Sequence, residues 1–300
     1  MLKIAWSQTY NHSLPEGHRF PMLKYELIPE QLIYEGSIIE SQLFEPAIVK
    51  EKNVLLSHSE VYLKSLIDLN LELSMIRKIG FPLSKELIER ELQITQGTIE
   101  CALFAIEYGA SFNVAGGTHH AFSDSGEGFC LLNDIAVSSN YLLNEGLRKR
   151  ILIVDLDVHQ GNGTASIFQN EERVFTFSMH GQNNYPLKKQ KSNLDIGLPD
   201  GIEDQPYLQL LGLHLPKLFQ FFEPDLVFFQ SGVDILKTDR LGRLGVSKEG
   251  CRQRDEMVFN LCKQNKVPVV AVMGGGYSTK ISDIVDAHCN TFKAALEIFF

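Results

Sequence analysis

Along the second half of the chain, hydrophobic residues fall into short unbroken runs separated by longer amphipathic stretches. Arg150–Asp155 (RILIVD), Arg173–Ser178 (RVFTFS), Asp225–Gln230 (DLVFFQ) and Val267–Met273 (VPVVAVM) are such runs. Runs of this kind predict strands buried on both faces of a parallel sheet. Helical patterning fills the gaps: Gly161–Gln169, Pro206–Phe222, Ser247–Asn265, and a last stretch from about Ser278 to the end. Ser247 is a candidate N-cap, and Pro216 inside the Pro206–Phe222 span predicts a kink or a division. The first half is more helical, with Ser59–Leu69, Thr95–Tyr108 and Asn133–Leu143 as amphipathic helices and residues 2–6 and 111–115 as strands. Strand–helix alternation predicts an α/β fold, a parallel sheet sandwiched by helices.

No low-complexity tract, repeat or Pro/Gly/Ser linker interrupts the pattern, so residues 1–300 are expected to form one domain. The formal charge of −9 argues against a nucleic-acid binder, which would carry a basic stripe. It fits a cationic lysine peptide and a polyamine equally well. Five widely spaced cysteines with no CxxC predict free thiols in a reducing compartment. The N-terminus has no signal-peptide pattern, and no apolar run approaches the ~20 residues of a membrane span. A cytoplasmic protein is the expectation.

Ligands of an open parallel sheet bind beyond the carboxyl ends of its strands. Polar clusters stand at five predicted strand ends: Gly116–Ala121 (GGTHHA), Asp155–Thr164 (DLDVHQGNGT), Met179–Gly181, Ser231–Asp234 and Gly274–Tyr277 (GGGY). In extended backbone, Asp155, Asp157 and His159 project from one side while Leu156 and Val158 pack behind. Two carboxylates and an imidazole so close together call for a cation. A divalent metal held by Asp157, His159 and a third carboxylate, with Asp234 best placed, satisfies them and leaves a position open for water. His119 and His120 can face the same site if Gly116-Gly117 bends the chain, and histidine suits proton transfer near neutral pH. Asp155 can orient an imidazole by accepting its N–H. The Tyr277 phenol, after three glycines, can donate to a developing oxyanion.

These segments, together with GFCLLND (128–134), SMH (178–180) and GVDILKTDRLG (232–242), occur in the order found in histone deacetylases. The chain resembles zinc-dependent deacetylases of the arginase/deacetylase fold over its whole length, and bacterial relatives of the class IV enzymes most. The resemblance implies that Asp157, His159 and Asp234 bind Zn2+, with Fe2+ also compatible. It implies that His120 is the general base and acid, His119 its electrostatic partner and Tyr277 the oxyanion donor. Asp155 and Asn162 fall among the catalytic residues, Asn162 where class I enzymes carry an Asp paired to the second histidine. An amide there adds no charge, so the pKa of His120 should be less raised. Phe129 and Tyr185 fall where the family lines its acyl-lysine tunnel, with Gly128 on the wall and Gly275 among the substrate-binding residues. Arg19 falls where relatives place an arginine in a cavity below the metal. Asp155, Asp157, His159, Ser178 and Met179 fall at a structural site for K+ or Na+.

The implied reaction is removal of an acetyl or longer fatty acyl group from an N-acylated amine, acyl-lysine in a peptide or protein first, an acetylpolyamine second. An arginase-like ureohydrolase with two manganese ions would need further carboxylates where Gln160 and Asn162 stand. A binding module with a dead site is disfavoured because each catalytic position carries a competent residue.

Overall fold

The computed structural model describes residues 1–300. In chain order its elements are β1 (Lys3–Ala5), α1 (Lys24–Tyr34), β2 (Leu43–Phe44), α2 (Glu51–Val54), α3 (Glu60–Ile67), α4 (Leu73–Ile79), α5 (Lys85–Tyr108), β3 (Ala110–Asn113) and α6 (Asp134–Asn144). They continue with β4 (Ile151–Asp155), α7 (Asn162–Ile167), β5 (Val174–Gly181), β6 (Leu194–Leu198), α8 (Asp204–Phe222), β7 (Leu226–Gln230), α9 (Lys248–Asn265), β8 (Val269–Val272) and α10 (Ile281–Phe299). The eight strands form one sheet in the order β2-β1-β3-β8-β7-β4-β5-β6, and all neighbours are parallel.

The unbroken apolar runs have a direct cause. Ile151, Ile153, Leu226 and Phe228 point into one layer, with Cys101, Ala102 and Ala105 of α5 and Ile135 and Leu142 of α6. Leu152, Val154, Val227 and Phe229 point the other way, into the larger core beneath α1, α8, α9 and α10. Both faces are covered, so these runs are apolar at both parities.

Several boundaries differ from the sequence expectation. Helix α5 begins at Lys85 and not at Thr95, because Ser84 caps it by accepting from the Leu87 N–H at 3.1 Å. Helix α8 runs through Pro216 without a division. Strand β5 extends to Gly181, so Met179 and His180 lie inside it and not beyond its end. His180 is buried with its Nδ1 2.9 Å from the Ser178 hydroxyl, which removes one of the five expected clusters from the site. Helix α1 and strand β6 have no counterpart in the expectation. No helix is long and apolar enough to cross a membrane.

Candidate active site

Because all strands run the same way, the segments after β3, β4, β7 and β8 open on one edge of the sheet. Asp157 and His159 come from the β4 segment and Asp234 from the β7 segment. One ligand atom from each lies within 4.8 Å of the others, and all three residues are buried. His159 Nδ1 is 3.1 Å from Asp157 Oδ1 and 3.0 Å from Asp234 Oδ2. Backbone N–H groups fix the carboxylates: Gly275 donates to Asp157 at 2.8 Å, and Val158 donates to Asp234 at 2.9 Å. A Cβ at Gly275 would collide with the Asp234 carboxylate, so the glycine lets β8's loop close over the pair. Burial and the charge of Asp157 push Asp234 up to about 7. Two buried carboxylates beside one imidazole carry negative charge that a divalent cation relieves, and the donor set suits Zn2+ or Fe2+.

The two neighbouring histidines face the same place because Gly116 and Gly117 adopt φ of +80° and +78°. Asp134, the first residue of α6, holds this bend: it accepts from the Gly117 N–H at 3.0 Å, the Thr118 N–H at 2.8 Å and the Thr98 hydroxyl at 2.6 Å. His119 and His120 have ring centroids 4.1 Å apart but opposite environments. His119 Nδ1 donates to Asp155 Oδ2 at 2.8 Å. Burial works against its charged form, but Asp155 and Asp157 outweigh burial and raise its pKa. His120 Nδ1 lies 2.7 Å from Asn162 Oδ1. The Asn162 amide is oriented by donation from its Nδ2 to Glu127 at 2.6 Å. Oδ1 therefore faces His120, Nδ1 of that ring carries the hydrogen, and Nε2 is an acceptor. Burial, then the neighbouring charges of His119 and His159, hold the His120 pKa well below the ordinary value. The sequence expectation of a less raised pKa is exceeded: it is lowered.

Tyr277 is buried, with its ring centroid 6.4 Å from that of His159. Asp239 accepts from its N–H. Burial and the charges of Asp234 and Asp157 push its phenol far up, so the hydroxyl stays protonated and can donate. The opening above these residues is a cavity of about 310 Å3 lined by His120, Gly128, Phe129, His159, Tyr185 and Tyr277, among others.

Residues 18–292 match the histone deacetylase domain family. The chain belongs to this family. It is 43% identical to an uncharacterized protein of Picosynechococcus sp. over 99% of both chains. It is 29% identical to histone deacetylase 2 of Arabidopsis thaliana, over 95% of this chain and 76% of that one. A solved histone deacetylase homologue in complex with SAHA superposes with a TM-score of 0.85 at 25% identity, covering 99% of this chain and 84% of the other. A homologue from Aquifex aeolicus gives 0.84 at 24%, covering 98% and 84%. The protein is accordingly a histone deacetylase-family hydrolase with the family's fold.

Within this deacetylase framework the remaining expected residues divide. Phe129 and Tyr185 both line the opening. Phe129 packs in a cluster with Phe20 and Phe81, at centroid distances of 5.1 and 5.2 Å. Tyr185 stands more alone, 5.1 Å from the His120 ring. Gly128 lines the wall, whereas Gly275 backs the candidate metal ligands. Asp155 pairs with Ser178 in the β4–β5 register, with Met179 next in β5. No backbone N–H donates to the Asp157 or His159 carbonyls, which suits a monovalent cation there.

Arg19 corrects the expectation. It is exposed at the mouth, its guanidinium 5.0 Å from the Phe129 ring, and not below the metal ligands. The buried cations behind the site are Arg90, which lines a small inner cavity with His119, Asp157 and His159, and Lys24, wholly buried, whose Nζ donates to the Gly274 carbonyl at 2.8 Å. Burial pushes Lys24 down to about 8, against the pull of Asp234 and Asp157. Its signal was the helical stripe Lys24, Ile28, Leu32, which puts the lysine on the inward face of α1. Arg254 of α9 was also missed. It is fully buried and pairs with Asp255 at 2.7 Å. Its other N–H groups donate to the carbonyls of Leu156 (3.2 Å), Gly232 (2.6 Å) and Ser231 (3.3 Å). These carbonyls belong to the two loops that carry Asp157 and Asp234, so one guanidinium ties both together.

Proposed function

We propose that the protein is a metal-dependent deacylase that hydrolyses the amide of an N-acylated amine, acyl-lysine in a peptide or protein above all. The observation that carries this reading is the opposed state of two adjacent histidines beside a buried Asp-His-Asp set. Adjacent titratable groups pushed apart in pKa mark acid–base chemistry. Asp157, His159 and Asp234 would hold Zn2+, with Fe2+ equally compatible. A bound divalent ion supplies Lewis acidity toward a carbonyl and lowers the pKa of water.

The chain's own residues do the rest. His120 Nε2 is unprotonated and takes a proton from the attacking water. His119, whose pKa Asp155 and Asp157 raise against burial, stabilises negative charge that develops nearby. The Tyr277 hydroxyl donates to the tetrahedral oxyanion. As the amide C–N bond breaks, His120 passes its proton to the leaving amine. Phe129 and Tyr185 flank the acyl-lysine stem, with Gly128 leaving room between them. The acyl group, acetyl or a longer fatty chain, lies inward. Asp155, Asp157, His159, Ser178 and Met179 would hold a K+ or Na+ ion that stiffens the β4 loop.

We read residues 1–300 as one domain of class IV-like character. Five free cysteines, all buried, support a reducing compartment such as the cytoplasm. The test is release of acyl groups from acetyl-, butyryl- and myristoyl-lysine peptides and from an acetylpolyamine by the purified protein. Cleavage that a chelator abolishes and added zinc restores is the expected result. Turnover indifferent to chelation would overturn the metal, and no cleavage of any amide would overturn the reaction.

A further inference from the structure

The chain carries a surplus of acid, yet the mouth of its site is basic. Three cations line the opening: Arg19 from the segment between β1 and α1, Lys78 in the last turn of α4, and Arg243 from the segment between β7 and α9. Arg19 and Lys78 are exposed and make no ion pair; Arg243 is exposed and reaches Asp200 at 3.5 Å. The carboxylates nearby are engaged. Glu127 accepts from Asn162, and Asp239 accepts from the Leu241 and Gly242 N–H groups and from Tyr277. No Asp or Glu lines the opening itself, whose other polar side chains include Asn183 and Asn184.

We propose that the part of the substrate lying outside the tunnel is anionic: an acyl-lysine flanked by Asp or Glu in a protein segment, with acetylpolyamines disfavoured. The proposal rests on the deacylase reading. A polyamine would bring one or more ammonium groups to a rim that offers two unpaired cations and no free carboxylate. An extended acidic segment crossing the mouth would meet cations arriving from three separate parts of the chain. Fields of this kind act over roughly a Debye length, ~10 Å at 0.1 M salt, so flanking residues fall within range. The net charge, which is dominated by residues elsewhere, therefore gives the wrong sign for the surface that meets the substrate.

The experiment compares zinc-loaded protein on three acetyl-lysine peptides, flanked by Asp/Glu, by Ala or by Arg/Lys, and on N-acetylspermidine. The expected order of kcat/KM is acidic, neutral, basic, with about tenfold between the ends at 50 mM NaCl and convergence at 500 mM. The double variant Arg19→Glu/Lys78→Glu should invert the order. Fluorescein-labelled copies of the peptides, bound to chelator-treated protein and read by anisotropy, should rank the same way. Equal or better turnover of the basic peptide or of acetylspermidine overturns the proposal and leaves the deacylase reading intact. Anisotropy ranked acidic over basic with no cleavage of any amide would sustain the rim and overturn the reaction.

Discussion

At the floor of the site, Asp157, His159, Asp234 and His120 are buried, and backbone N–H groups or fixed side chains hold them. At its mouth, Arg19, Lys78, Arg243 and Leu187 stand in water, and few contacts constrain them. The floor is built from strand ends. Its positions are set by the sheet register, by the Asp134 clamp on the histidine bend and by the Arg254 tie between two loops. The mouth is assembled from the segments between elements and from the last turn of α4. Chemistry that tolerates little displacement sits where the scaffold is stiff, and recognition that must accept different sequences sits where it is loose. The floor should therefore answer to substitution with large losses, and the mouth with small shifts in preference.

The heaviest blow to the floor is Asp157→Ala. It removes a proposed metal ligand and leaves Asp234 and His159 without their third partner. We expect loss of stoichiometric zinc by elemental analysis and activity below detection; a variant that still binds one zinc per chain would refute the ligand set. Next comes Arg254→Met. It strips donors from three loop carbonyls and leaves Asp255, which burial already pushes up to about 6, buried with only Thr291 to donate to it, at 2.7 Å. Breaking a buried pair from one side costs about 3–5 kcal/mol. Denaturant unfolding should show a loss of that size, and zinc affinity should fall with it. A loss under 1 kcal/mol would mean that the two loops hold themselves.

Tyr277→Phe probes the floor without disturbing its frame, since only a hydroxyl is removed. An oxyanion donor is worth about 10²–10³ in turnover, so kcat should fall by that factor while zinc content and melting temperature stay put. Asn162→Asp asks a subtler question. His120 acts as a base only when Nε2 is unprotonated. Its lowered pKa keeps it so below the ordinary histidine range, and kcat/KM should hold up as pH falls through 6.5. A carboxylate at position 162 favours the imidazolium, raises that pKa and moves the acid limb of the profile to higher pH, by about one unit. An acid limb that stays in place would take His120 out of the base role.

The same contrast explains what could be read from the residues alone. DLDVHQGNGT announces its chemistry because strand periodicity fixes which side chains share a face. The triad, the two histidines and Tyr277 indeed converge. Lys24 and Arg19 show where the reading gives out. They are five residues apart: Arg19 lies ahead of α1 and stays at the mouth, whereas Lys24 is the first residue of the helix and falls on its inward phase. That phase was obscured because α1 opens with no side-chain cap and holds Pro29. Arg254 was hidden for a different reason: α9 is strongly polar, and a charged residue there reads as solvated until Leu156, Gly232 and Ser231 are brought against it. His180 erred the other way, since β5 runs on past the point where its apolar run ends.

Leu187 is the mouth's counterpart to Tyr277 and should give the smallest effect. It lines the same opening but is 91% exposed, two residues beyond Tyr185. It has almost no surface to lose from the core, so Leu187→Ala should leave stability within about 0.5 kcal/mol of wild type. Its side chain can gain burial only when a substrate covers it, so the loss should fall on binding. We expect KM for a peptide to rise about two- to threefold with kcat unchanged, because the contact is the same in ground and transition states. A short acetyl-lysine amide that ends at the tunnel opening should show no change at all. A fall in kcat, or a melting temperature several degrees lower, would mean that Leu187 supports Tyr185 and the floor beneath it, and the division between a stiff floor and a loose mouth would have to be redrawn along that loop.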